Sequence, residues 1–248
     1  MKKNCLLCFL LFFSCHSALA GESLDSLLNV LDKTIKEADT YVQIKENKLH
    51  ELKKEARKTP PFSVERYNLN NDIYLEYKAY SSDSALHYLN ENMLLARQLN
   101  DKERELKIQL ELSYLLSSIG MYMEAADILN SIDRQTLPSS LLGHYYTCYE
   151  HVYFEAGAAQ PRYKMFASRY VKLSHAYRDS MQITLDPSSA TYLWLRETQL
   201  REAGKYDEAL EFSDRRLAES SFGTPQYALV AYQRFRLFES MGKKDEHL

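Results

Sequence analysis

Apolar residues recur at helical spacing from the first part of the chain. Between Glu22 and Lys58 the pattern is Leu24, Leu27, Leu28, Leu31 and Ile35, continuing less regularly through Val42, Ile44, Leu49 and Leu52. One long helix is predicted there. Its second half, from Lys45 to Lys58, is dominated by Lys and Glu. Such a helix suits a cap over the first of a series of repeats, with short coiled-coil pairing as the other reading. Thr59-Pro60-Pro61 ends it, because proline disfavours helical geometry in the residue before it.

Beyond Pro61 the pattern predicts helix after helix. Val64 to Tyr80 carries Tyr67, Ile73, Tyr74 and Tyr77. Ser82-Asp83-Ser84 supplies N-cap chemistry for a helix to Leu99 with Leu86, Leu89, Met93 and Ala96 on one face. Further helices are expected over 102–119, 122–132, 139–156, from Pro161 to about Ile183, and over 190–203, 206–219 and 226–241. No segment alternates apolar and polar residues long enough to predict a strand. Only seven Gly and six Pro also argue against an all-β fold.

Four glycines, Gly120, Gly157, Gly204 and Gly242, each follow a helical run. Glycine enters the left-handed conformation that ends a helix without a Cβ clash, so all four are expected to turn one helix into the next. Their spacing suits a helix-pair repeat of roughly 34 residues with variable insertions. The phrases at two of them match: Gly120, Tyr122, Glu124, Ala125 and Gly204, Tyr206, Glu208, Ala209. Acidic residues at the start of the second helix suit its positive end.

In these residues the chain resembles the tetratricopeptide repeat, in which the small Ala lets the second helix approach the first closely. Leu112, Ser113 and Leu116 fit the first helix of the earlier copy, and Leu193 and Leu200 that of the later one. Arg196 and Glu197 depart from it, standing where the pattern is usually apolar and small. The copies near Ser81 and Gly157 are degenerate. The resemblance implies an all-α array of antiparallel helix pairs, an α-solenoid over residues 61–248, behind an N-terminal charged capping helix at 21–60.

Residues 1–20 read as an export signal: Lys2 and Lys3, an apolar run from Leu6 to Phe13, then Ala18-Leu19-Ala20 as the cleavage pattern. The run is too short to span a bilayer, which takes about 20 apolar residues. Lipidation at Cys15 is the competing reading, although Phe12-Phe13-Ser14 is a poor lipobox. Cys5, Cys8 and Cys15 leave with the signal, so the mature chain keeps Cys148 alone, expected as a buried thiol. Without the signal the chain carries 29 basic against 34 acidic residues. That balance disfavours nucleic-acid binding through this segment.

An export signal, a charged helix and Tyr-rich repeats, in that order, are similar to the extracytoplasmic sensor half of certain bacterial membrane-anchored regulators. In that family a transmembrane helix and a cytoplasmic output region follow. Met241-Gly242-Lys243-Lys244 falls where the second helix of a pair should start, so the chain is expected to be part of a longer one. The resemblance implies a periplasmic or extracytoplasmic binding domain, tethered to the inner membrane in the full-length protein. A free-standing periplasmic or surface scaffold for protein assembly is the alternative.

Chemistry is missing from the pattern. There is no phosphate loop, H-E-x-x-H or G-x-S-x-G, so no catalytic residue, cofactor or metal is expected. His144 and His151, with Glu155, are spaced too far apart for adjacent ligands on one helical turn. The nineteen tyrosines offer two readings. Tyr145, Tyr149, Tyr153, Tyr192 and Tyr232 line a groove on the first helices for a protein, a peptide or a glycan, or they fill the core between helices. A homodimer is the other interaction considered.

Overall fold

The computed structural model describes residues 32, 33, 35–160, 162–222 and 224–242. The signal-like segment, Cys5, Cys8, Cys15, the first leucines of the N-terminal pattern and Pro161 therefore lie outside the described residues. The chain divides into two compact units. One is Gln43–Glu219; the other holds the ends of the chain, through Val42 and from Ser220.

Among the described residues the regular structure is helical: α1 (Ala38–Lys58), α2 (Val64–Tyr77), α3 (Ser82–Gln98), α4 (Lys102–Ser118), α5 (Tyr122–Ser131), α6 (Ser139–Ala158), α7 (Lys164–Thr184), α8 (Ala190–Glu202), α9 (Tyr206–Ala218) and α10 (Pro225–Met241), with a short 3₁₀ turn at Arg134–Thr136. The larger unit holds the pairs α2/α3, α4/α5, α6/α7 and α8/α9. Within this unit α3 also packs on α4, α5 on α6 and α7 on α8, and α4 lies directly against α6. The residues from Gln43 onward in α1 close its start. Leu49 and Ala56 are buried with the core of the first pair, Lys45 and Lys48 bind Glu76, and Lys53 donates to the Tyr77 hydroxyl.

Three turns share one geometry. Gly204 has φ +72°; its own N–H bonds to the Arg201 carbonyl and the Lys205 N–H to the Leu200 carbonyl at 2.9 Å. Gly120 repeats this with Ser117 and Leu116, and Asn100, at φ 52°, with Arg97 and Ala96. These paired bonds satisfy carbonyls that the helix end leaves over. Asn tolerates the left-handed region better than most residues, and Asp101 then caps α4 by accepting from the Arg104 N–H.

Gly157 does not belong to this set. It lies inside α6, and a Cβ built there would meet the Tyr170 Cβ of α7 at 3.3 Å. It is small because two helices come close, not because a turn needs it. Gly242 is left-handed at the end of α10. The N-cap expected among Ser82-Asp83-Ser84 is instead Ser81, and its hydroxyl bonds to Ser84 Oγ rather than to a backbone N–H.

Where second helices cross first helices, small residues sit at the contact. Ala125 and Ser113 are fully buried, and Ser113 Oγ donates to the Ala125 carbonyl at 3.0 Å. The equivalent of Ser113 in the Gly204 pair is Glu197, which is buried and accepts from Arg216 of α9. The departure from the repeat pattern is thus met by a buried charge pair. Around these crossings Ile73, Leu89, Ile108, Leu110, Leu129, Leu193 and Leu195 are fully buried, each stabilising the fold by about 1.5–3 kcal/mol.

Candidate functional site

Helical spacing puts three short stripes of side chains on the first helices of successive pairs. Tyr74, with Lys78 just past its end, comes from α2. Glu111, Tyr114 and Ser118 come from α4, and His144, Cys148, His151 and Glu155 from α6. Glu111 is the centre. It accepts from the Tyr74 hydroxyl at 2.6 Å and from Lys78 Nζ at 3.1 Å, and its other oxygen lies 3.7 Å from His144 Nε2. One carboxylate thus links three helices.

The next layer is aromatic. The His151 ring stacks on Tyr114 with centroids 4.0 Å apart, its Nε2 lies 2.9 Å from Ser118 Oγ, and Lys78 Nζ stands 4.5 Å from the Tyr114 ring centroid. Cys148 is fully buried below, its thiol directed at the Leu110 carbonyl.

Electrostatics follow from burial. Burial works to raise the Glu111 carboxyl, but the Lys78 ammonium, His144 and the hydrogen bonds from Tyr74 and Lys78 outweigh it and hold the group below its ordinary value. Burial lowers the His144 pKa from its ordinary value against the pull of Glu111. His151 is driven down to about 4, by burial and then by the Lys78 charge. Burial also pushes Tyr114 up to about 12 and the Cys148 thiol well above its usual range.

The tyrosines occupy the opposite side of α6. Tyr145 and Tyr149 are buried against α7, where Tyr177 stacks on Tyr149 at 4.7 Å and on Tyr153 at 5.7 Å. Tyr153 reaches on to Tyr170, and the Tyr149 hydroxyl donates to Asn130 of α5. These rings therefore fill the space between paired helices. Tyr145, Tyr149 and Tyr153 come together; Tyr192 is half-buried on α8, outside this stack, and Tyr232 is exposed in the other unit.

Sequence reasoning missed the charged joint next to them. Arg178 of α7 bonds Glu150 of α6 and both oxygens of Glu202 of α8, and Ser174 donates to the same Glu150 oxygen. The guanidinium carbon lies 5.9 Å from the ring centroids of both Phe154 and Trp194. The one available signal was Glu150 itself, a carboxylate inside the aromatic run Tyr149-Glu150-His151-Val152-Tyr153.

Among the described residues no three His, Cys, Asp or Glu side chains gather to hold a metal, and no helix is long and apolar enough to cross a membrane. The sequence profile of the SusR N-terminal TPR domain matches residues 35–248. The chain belongs to that family. SusR is a membrane-spanning sensor regulator whose N-terminal part is periplasmic. No curated protein matches the chain in sequence. The SusR-type match embraces the ten helices of the described residues, including α1, so the charged helix falls within the matched domain. The Glu111 junction and the Tyr177 stack both fall within it.

Proposed function

We propose that this chain is the non-catalytic, extracytoplasmic sensor part of a SusR-like regulator, and that it works by binding a protein, peptide or glycan. The observation that carries the reading is the family match over residues 35–248 on a chain whose first twenty residues have the form of an export signal. The geometry supports binding on the first-helix face. Glu111 links α2, α4 and α6 there, so a ligand that competes for the partly exposed Lys78 or His144 changes how those helices are held together. A ligand shifts such an equilibrium only through its differential affinity for the two arrangements. Dimerisation through the same domain is a second way to pass on the change.

The test joins location to binding. The full chain is fused to alkaline phosphatase, which is active only outside the cytoplasm, and compared with a version lacking residues 2–20. Activity of the first alone supports export; activity of neither sinks it. The full chain is then melted with pools of proteins, peptides and glycans from an extracytoplasmic extract. A rise in Tm with one pool, lost in Lys78→Ala, is expected. An exported chain that none of the pools shifts would overturn the sensor reading.

A further inference from the structure

The longest second helix of the larger unit is α7, with 21 residues against 17, 10 and 13 in α3, α5 and α9. Its inner side buries Ser174, Arg178 and Met181 at positions i, i+4 and i+7. Half a revolution away lie Met165, Arg169, Lys172, Ala176, Asp179 and Ile183, every one of them exposed. Their steps of four, three, four, three and four are the heptad spacing of a helix seam. The large apolar ends, Met165 and Ile183, are 74% and 85% exposed. Arg169, Lys172 and Asp179 have no hydrogen-bond or ion-pair partner among the described residues.

The order of these residues is complementary to its own reverse. The six positions stand nine, five and two residues on either side of Ser174. Laid antiparallel on a second copy, the seam therefore sets Met165 against Ile183 and Arg169 against Asp179. Lys172 meets Ala176, over which its aliphatic stem can lie. A twofold contact makes every pair twice, so two Arg–Asp pairs form. A parallel contact in register would instead oppose Arg169, Lys172 and Asp179 each to itself, and like charges brought together are unfavourable. The seam runs about 27 Å at 1.5 Å per residue. One helix on one helix over that length is at the small end of specific interfaces, below about 1,200 Å², which suits a weak, reversible dimer.

We propose that two copies of this chain associate through the outer side of α7, antiparallel, about a twofold axis at the level of Ser174. The Arg169–Asp179 pairs fix direction and register more than affinity, because exposed ion pairs contribute little. The contact is separate from the first-helix face, and it does not depend on the sensor reading.

Sedimentation equilibrium of the full chain between about 5 and 500 µM tests this, with a dimer Kd on the order of 100 µM expected. Arg169→Asp turns both ion pairs into like-charge contacts and should weaken the dimer by more than about tenfold. Arg169→Asp combined with Asp179→Arg reverses each pair and should return Kd to within about threefold of wild type. That recovery is specific to the antiparallel seam, since a parallel one would keep like charges opposed. Both positions are exposed, so the variants should keep the wild-type circular dichroism. A chain that stays monomeric at about 500 µM, an Arg169→Asp variant that dimerises like wild type, or a double variant that does not recover would each overturn the proposal. The export and melting results would stand regardless.

Discussion

Arg178 Nε donates to Glu150 Oε1 at 2.8 Å, and both side chains are more than nine-tenths buried. This pair ties α6 to α7, and the second arm of Arg178 reaches Glu202 on α8. Burial disfavours the Arg178 charge, yet Glu150 and Glu202 together hold its pKa above the ordinary value. Removing one partner leaves a buried charge without compensation. Arg178→Ala is therefore expected to cost about 3–5 kcal/mol, and Arg178→Met with Glu150→Leu much less. Urea unfolding measures both; a loss below about 1 kcal/mol in the single variant would show that water reaches the joint.

Glycines 157 and 204 should answer oppositely to asparagine. At Gly204 there is open space for a Cβ and only the backbone conformation constrains the residue. Asn enters the left-handed region more readily than other side chains, so Gly204→Asn should cost under about 1 kcal/mol. At Gly157 the same side chain drives into Tyr170, and overpacking costs about 1–3 kcal/mol. Thermal melts that rank the two variants the other way would remove the distinction between turn and close-packing glycine.

Acid should destabilise the fold through His151. Its folded pKa, about 4, lies below the ordinary histidine value near 6.5. Between these values the unfolded chain binds the extra proton, so stability is full above about pH 6.5 and falls as the pH drops towards 4. The depressed His144 and Glu111 act in the same direction, Glu111 at lower pH. Raised Glu155 has the opposite sign, contributing below its unfolded value and losing that contribution as the pH rises. His151→Gln should remove roughly 2 kcal/mol of the loss between pH 6.5 and 4. Denaturant midpoints across that range decide it, and an unchanged slope would count against the buried neutral ring.

The Cys148 thiol should be silent in the native protein. Burial pushes its pKa up and leaves it no exposed surface, while the thiolate is the reactive species. Ellman's reagent is expected to label it only as fast as the fold opens, with urea accelerating the reaction in step with unfolding. Prompt labelling in buffer would mean that α4 and α6 part readily.

The helices and the tight turns were legible because their causes are local. Apolar spacing of 3.6 residues marks a helix wherever it falls, and the Gly120 and Gly204 phrases carry both the end of one helix and the start of the next. Gly157 misled the reading because glycine has two uses, positive φ and close approach, and only the neighbour Tyr170 distinguishes them. Asn100 makes the same hydrogen bonds as Gly204 without being a glycine, so a glycine pattern does not mark its turn.

What the sequence alone determined, then, is the helical repeat itself and the resemblance to a sensor domain: periodicity, turn chemistry and small-residue positions are properties of neighbours in the chain. Which side of each helix faces which partner was a tertiary matter. Tyr145 and Tyr149 went to the seam with α7 because that face of α6 meets Tyr177. His144 and His151, on the other face, went to Glu111 and Tyr114. Glu150 and Arg178 lie far apart in sequence, and burying either requires the other; no local pattern could announce that pair before the helices were packed.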